Sequence, residues 1–225
     1  MQPDDKTTLN DTASNNIVPA STNNAFTEKT YANYQAIIKE VSKHDMLSEL
    51  ERLKANEMAD AANQDIKRHS AFQQTANSIK NIYGNQGING GIDTHRYFIC
   101  TSENKTVGII IFISSSSNTS GYNTPDRIGY ILTHPGRRGY GRLLIEHAVN
   151  ISMTLNHTGD LILDAEPYAT PIYQKIGFSI TNSNNDFDAI EMKLIPSESR
   201  LWKRTPDGYQ FIKHSPGSLW RCYIL

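Results

Sequence analysis

The chain has 225 residues, 38% of them hydrophobic and 20% charged, with a formal net charge of −1. That length suits one domain with a sizeable core plus extensions, or one domain and a small partner module. The near-neutral charge argues against a protein held on nucleic acid by phosphate contacts, no apolar run approaches a membrane span, and the start, Met1-Gln2-Pro3-Asp4-Asp5-Lys6, lacks the apolar stretch of a signal peptide.

Residues 1–28 are mostly Asn, Ser, Thr, Asp and Ala, a composition that cannot offset its chain entropy and predicts a disordered leader. The same composition is similar to the secretion signals of bacterial type III effectors, which implies delivery into a host cell without a signal peptide. From Thr30 to about Tyr83 the pattern turns helical. Tyr34, Ile37, Ile38 and Val41 fall at i, i+3, i+4 and i+7, and no convincing first strand is visible. Asp45 is placed to cap a second helix carrying Leu47, Leu50, Leu53 and Met58. Ile66, Phe72, Ile79 and Ile82 continue at wider spacing, so 29–90 is predicted as a helical extension that walls a site or docks a partner.

Gly84, Gly87, Gly90 and Gly91 mark a loop. Arg96–Thr101 and Val107–Ile113 then predict strands around a Glu103-Asn104-Lys105 turn, the second apolar enough to be covered on both faces. Cys100 lies in this pattern and is expected to be a buried free thiol. With only Cys222 besides, neither a disulfide scaffold nor a zinc site is supported, and a cytosol is the expected compartment. Ser114–Pro125 predicts a long polar loop, placed to overhang a cleft or simply to line the surface.

The segment from Ile128 to Phe178 carries the chemistry. Ile128–Thr133 predicts a strand that His134-Pro135 ends. Gly136-Arg137-Arg138-Gly139-Tyr140-Gly141 turns into a helix opening at Arg142. Glycines permit close approach of a ligand to backbone, and a helix start with nearby arginines suits a pyrophosphate. Leu161–Leu163 begins another strand, followed by Asp164-Ala165-Glu166-Pro167-Tyr168-Ala169-Thr170-Pro171-Ile172-Tyr173-Gln174-Lys175-Ile176-Gly177-Phe178.

Together, G-Y-G-R-L-L-I-E-H-A-V and L-D-A-E-P-Y-A-T-P-I-Y-Q-K-I-G-F resemble the GNAT superfamily of acyl-CoA-dependent N-acetyltransferases. That family holds the coenzyme A pyrophosphate in a Q/R-x-x-G-x-G/A turn and closes its fold with a Y-x-K-x-G-F segment. Gly136 stands at the leading Gln/Arg position, and the loop after Pro135 is short. The resemblance implies an α/β (α+β) fold with a mixed, mostly antiparallel sheet flanked by helices, the core spanning 91–195. Acetyl-CoA is the implied co-substrate and an amine the acceptor, attacked directly in a ternary complex. The polar leader and the extra helices, rather than the resemblance, favour a protein lysine or N-terminus, including one on a host protein, as acceptor, with a small-molecule amine the open alternative. The implied cofactor contacts are Ile131, Leu132 and Thr133 through backbone, then Arg137, Arg138, Gly139, Tyr140, Gly141 and Arg142. Tyr173 aligns with the tyrosine that protonates the departing thiolate. Glu166 and His134 are candidates for the base, with Asp126 a third and a water chain a fourth. Gly136 and the short loop also admit a non-catalytic acyl-CoA-binding or protein-interaction scaffold.

Beyond Phe178, Ser179-Ile180 and Asp188–Ile195 predict two strands that complete the sheet, with a turn at 182–186. The aromatic and basic tail from Pro196, including Trp202, Tyr209, Phe211, Trp220 and Tyr223, is expected to fold back over the core, so 196–225 is predicted as a packing extension.

Overall fold

The computed structural model describes residues 28–60, 66–84, 94–115, 124–136, 139–155, 157–181 and 189–212. The predicted leader, the Gly87–Gly91 loop, most of the Ser114–Pro125 loop, Arg137, Arg138, the 182–186 turn, Trp220, Cys222 and Tyr223 lie outside these residues.

The apolar runs read from the sequence form the centre of the molecule. β3 (His95–Ser102) and β4 (Lys105–Ile113) are joined by Glu103 and Asn104, both at left-handed φ (52° and 59°). β5 (Asp126–Thr133) follows, then α3 (Tyr140–Thr154), β6 (Leu161–Ala165), α4 (Thr170–Gln174), β7 (Ser179–Ile180) and β8 (Ile190–Leu194). Ahead of them lie β1 (Glu28–Tyr31), β2 (Ala36–Val41), α1 (Lys43–Asp60) and α2 (Ile66–Gly84). A hairpin of β9 (Trp202–Thr205) and β10 (Gly208–Phe211) ends the described chain. The main sheet has the order β1-β2-β3-β4-β5-β6-β8-β7, antiparallel except where β5 meets β6. Among the described residues no helix is long and apolar enough to cross a membrane.

Two expectations for the N-terminal part are corrected. Residues 28–41 are not helical: β1 and β2 form a hairpin around a 3-10 turn at Ala32–Tyr34, and β2 supplies the first strand that the sequence seemed to lack. Its burial alternates, with Ala36 and Ile38 inside and Ile37 and Lys39 outside, the period of a strand with one covered face. The second correction concerns the cap of α1. Ser42 Oγ, not Asp45, accepts the helix N–H, that of Asp45 at 3.0 Å, and its hydroxyl donates to Asp45 Oδ2 at 2.8 Å.

Each face of the sheet carries a helical layer. Met46, Leu50, Leu53 and Glu57 of α1 and Phe72, Ala76, Ile79 and Tyr83 of α2 are buried on one face. Ile66 and Ile82, which share the wider-spaced apolar pattern with Phe72 and Ile79, are exposed. Glu57 extends the apolar stripe of α1 as a fully buried carboxylate, bonded by His69 Nδ1 and by Gln73 Nε2 (3.0 Å) of α2. The other face packs α3 and α4 against Phe98, Ile110, Phe112, Ile128 and Leu163. The β9–β10 hairpin lies over α3, with Trp202 and Tyr209 in the same cluster.

Gly129 is an extra residue in β5. Ile111 pairs with Tyr130 but Phe112 pairs with Ile128, so Gly129 forms a bulge. Ile128 therefore joins the α3 layer while Tyr130, two residues on, packs with the α1–α2 layer. Without the bulge both would share one face.

Candidate active site

β5 and β6 pair only at Asp126–Leu161, Arg127–Ile162 and Ile128–Leu163. Beyond Ile128, at the bulge, the strands separate. His134 donates its N–H to Val107 C=O (2.9 Å), which fixes the alternation of the ladder. Tyr130 and Leu132 direct their main-chain groups to β4, and Ile131 and Thr133 direct theirs into the gap. Of the three backbone groups expected to contact the cofactor, those of Ile131 and Thr133 thus face the gap. Leu132 is bonded within the sheet, with its side chain in the α1–α2 core.

The gap holds a cavity of about 300 Å³ that runs through the sheet. At the α3 end it is lined by Gly141, Arg142 and Ile145. At the other end it reaches Arg68, Thr75 and Ser78 of α2, and Tyr173 and Glu166 flank its middle. Residues far apart in the chain, from α2 to α4, meet there.

The turn into α3 fits a phosphate ligand. Gly139 has a φ of 93°, which a residue with Cβ adopts only with strain, and no side chain caps the helix. A Cβ on Gly141 would meet only Thr133 Cγ2, at 3.8 Å, so internal packing does not require glycine there. It leaves room beside first-turn N–H groups that carry the positive end of the helix dipole. Arg142 stands at the same end. Arg137 and Arg138, also expected here, lie outside the described residues.

Tyr173 sits in α4, half-buried, its ring edge-on to Phe178 at 5.7 Å. Burial, aided by the neighbouring Tyr168, pushes its hydroxyl pKa up to about 12. It therefore keeps its proton at neutral and moderately alkaline pH. Glu166 is exposed at the end of β6, its carbonyl accepting the N–H groups of Ala169 and Thr170 (2.8 and 3.2 Å) as α4 begins.

The other two base candidates sit elsewhere. His134 is buried and does not line the cavity. Its Nδ1 accepts the Gly136 N–H at 3.2 Å, an arrangement that shapes the turn and commits the lone pair a base would use. Asp126, 1% exposed, is held by Ser115 N–H (2.8 Å), Ser115 Oγ (3.2 Å) and His157 Nδ1 (2.9 Å) at the start of β5.

The polar wall of α2 was not singled out from the sequence. Arg68, Thr75 and Ser78 lie in a polar helix without a motif, and only the fold turns them toward the cavity.

Residues 55–195 match the profile of the acetyltransferase (GNAT) domain, more than half of the chain. Solved structures with similar folds include a protein from Desulfovibrio desulfuricans assigned to the GNAT family, 15% identical, with a TM-score of 0.49, over 71% of this chain and 98% of that one. An acetyltransferase from Streptococcus agalactiae is 21% identical, with a TM-score of 0.44, over 72% and 98%. The ribosomal-protein-S18-alanine N-acetyltransferase of Escherichia coli is 19% identical, with a TM-score of 0.43, over 71% and 92%. No curated protein matches the chain in sequence. A mixed sheet split beside a bulge, a glycine-turned helix start facing the split and a domain profile spanning both identify the chain as a member of the GNAT acetyltransferase family, an acyltransferase whose co-substrate is acetyl-CoA.

Proposed function

We propose that the chain acetylates a primary amine on a protein, a lysine side chain or an N-terminus, presented at the α2 end of the cavity. The observation that carries this is the passage of the cavity through the sheet, which separates a phosphate-compatible end at α3 from an acceptor end at α2. When bound, acetyl-CoA would supply an acetyl group activated as a thioester, to which the amine would add, losing a proton, before the sulfur leaves. The N–H groups of Ile131 and Thr133, which face the gap, would orient and polarise the carbonyl. Tyr173 Oη gives a hydrogen bond and a proton toward the departing sulfur. Its raised pKa makes it a weak acid, so placement matters more than driving force. Glu166 stands at the exposed edge, where an ammonium group can lose its proton to it directly or through water.

The lining favours a peptide over a polycation. Of its two described carboxylates, Asp164 is engaged by Arg127 at 2.6 Å, which reduces the negative charge that a polycation would meet. Tyr168, 48% exposed at the mouth, offers an aromatic surface to a chain rather than to a bare amine. Incubation with isotope-labelled acetyl-CoA and a mixture of lysine peptides, peptides with free N-termini and spermidine tests this. Label on peptide amines is the expected result. Label confined to spermidine overturns the peptide assignment.

A further inference from the structure

The carbonyl of Ile176 accepts the indole N–H of Trp202 at 2.8 Å, a bond buried on both sides. Trp202, 5% exposed, opens β9 and lies beyond the family-matched residues, 55–195. Ile176 lines the cavity, as Tyr173 does one helical turn before it. A hairpin outside the matched residues thus holds the segment that carries Tyr173.

α4 has five residues, too few for a helix to persist on its own hydrogen bonds. Two bonds close its end: the Phe178 N–H donates to the Tyr173 carbonyl at 3.1 Å, and the Gly177 N–H to that of Gln174 at 3.0 Å, with Gly177 at a φ of 106°. The Ile176 N–H also donates to the Tyr173 carbonyl, at 3.0 Å. That closure does not use the Ile176 carbonyl, and the indole, a donor without an acceptor, meets it there. Trp202 is itself fixed. It pairs across the hairpin with Phe211, whose ring stands edge-on to it at 5.6 Å. The hairpin is tied to α3 by the two Asn150–Tyr209 bonds and by the Phe211 N–H, which donates to Glu146 Oε2 at 3.0 Å. Hydrogen bonds and ring packing therefore run without a break from α3, through the hairpin, to the end of α4.

The geometry points to Trp202 as a positioning residue that sets the place of Tyr173 beside the cavity. This rests on the assignment of proton donation to Tyr173. Transfer needs the hydroxyl within hydrogen-bond reach of the sulfur, and a displacement of about 1 Å is enough to slow it. α3 starts at the glycine turn and carries the hairpin along its length. One helix thus places the cofactor end of the cavity and, through Trp202, its Tyr173 flank.

Trp202→Phe removes the indole N–H and keeps a ring. Acetyl transfer from labelled acetyl-CoA to the peptide mixture is expected to slow about 10-fold or more, with CoA affinity by calorimetry within about 2-fold of the parent. In the Tyr173→Phe background the same change should alter turnover less than about 2-fold, because it acts through Tyr173. A second readout needs no acceptor. In protein carrying ring-labelled tyrosine, the Tyr173 NMR signal, identified by its absence from Tyr173→Phe, should move in Trp202→Phe, while that of Tyr97, in the opposite layer, stays. Equal losses of turnover with and without Tyr173 would mean that the hairpin only supports the fold, and the proposal fails. It fails too if the Tyr173 signal keeps its position. If Tyr173→Phe turns over as the parent does, proton donation by Tyr173 is overturned, while the signal still decides whether Trp202 holds that residue. Should no peptide be acetylated, the signal decides alone. Should Trp202→Phe not fold, Phe211→Leu, which removes the ring packed on Trp202, takes its place in both readouts.

Discussion

Asn150 and Tyr209 exchange two hydrogen bonds across the interface of α3 and the C-terminal hairpin: Asn150 Nδ2 donates to the Tyr209 carbonyl at 2.9 Å, and the Tyr209 N–H donates to Asn150 Oδ1 at 2.7 Å. A single side chain thus pairs with backbone as a neighbouring strand would. Asn150→Ala leaves both Tyr209 groups buried without these partners, and a loss of roughly 2–4 kcal/mol is expected. Denaturant unfolding measures it. A loss below about 0.5 kcal/mol would show that water replaces the amide.

Gly177 explains the glycine of the Tyr173–Phe178 motif. Its φ is 106°, and an added Cβ would lie 2.7 Å from Ser199 Oγ and 3.3 Å from Trp202 Nε1. Gly177→Ala should cost at least ~1–2 kcal/mol from backbone strain alone. Adding Ser199→Ala removes the contact but not the strain, so unfolding midpoints should recover only in part.

Tyr173→Phe keeps the edge-on contact with Phe178 and removes the proton donor. Turnover should fall on the order of 10²-fold with CoA affinity within about 2-fold of the parent. Steady-state kinetics beside calorimetry separates the two. Because burial pushes the hydroxyl pKa up to about 12, an alkaline loss of activity near pH 9 is expected to come from another group.

His147 gives the fold a sensitivity to acid. It is 3% exposed in α3, edge-on to Phe98 at 4.9 Å, and neither ring nitrogen has a hydrogen-bond partner among the described residues. Burial, with Lys29 and Arg96 adding to it and Glu40 opposing, lowers its pKa from 6.5 to about 3. The unfolded chain takes up a proton below 6.5 that the folded protein refuses. Stability therefore falls as pH drops from 6.5 toward 3, by ~1.4 kcal/mol per unit once well below 6.5. Unfolding free energies at pH 7 and 5 should differ more for the parent than for His147→Leu. An equal difference in both would remove His147 as the cause.

Apolar density made β3, β4 and β5 legible in the sequence, since strands covered on both faces have little room for polar residues. Tyr173 and the glycines of the turn were legible through the motifs around them. β2 was not, because Tyr34, Ile37, Ile38 and Val41 also fit a helical period, and the deciding residue, Ala36, is too small to register as core. Ala76 hid the stripe of α2 in the same way. The direction of Leu132 depended on Gly129, a bulge that resembles any other strand glycine.

The split between β5 and β6 has a mechanical consequence. Strands β1–β5 and strands β6, β8 and β7 form two plates joined along the backbone by three residue pairs at one end. Ile131 and Thr133 form an edge in the interior of the sheet, a place where most proteins leave none. Beyond those pairs the plates are held by the apolar cluster that spans them, with Ile110 and Ile128 on one side and Leu163 and Met192 on the other. A molecule lying along the seam acts as a rivet. A ligand bonded to both edges of the seam is recognised by the two halves and adds to their cohesion at the same time.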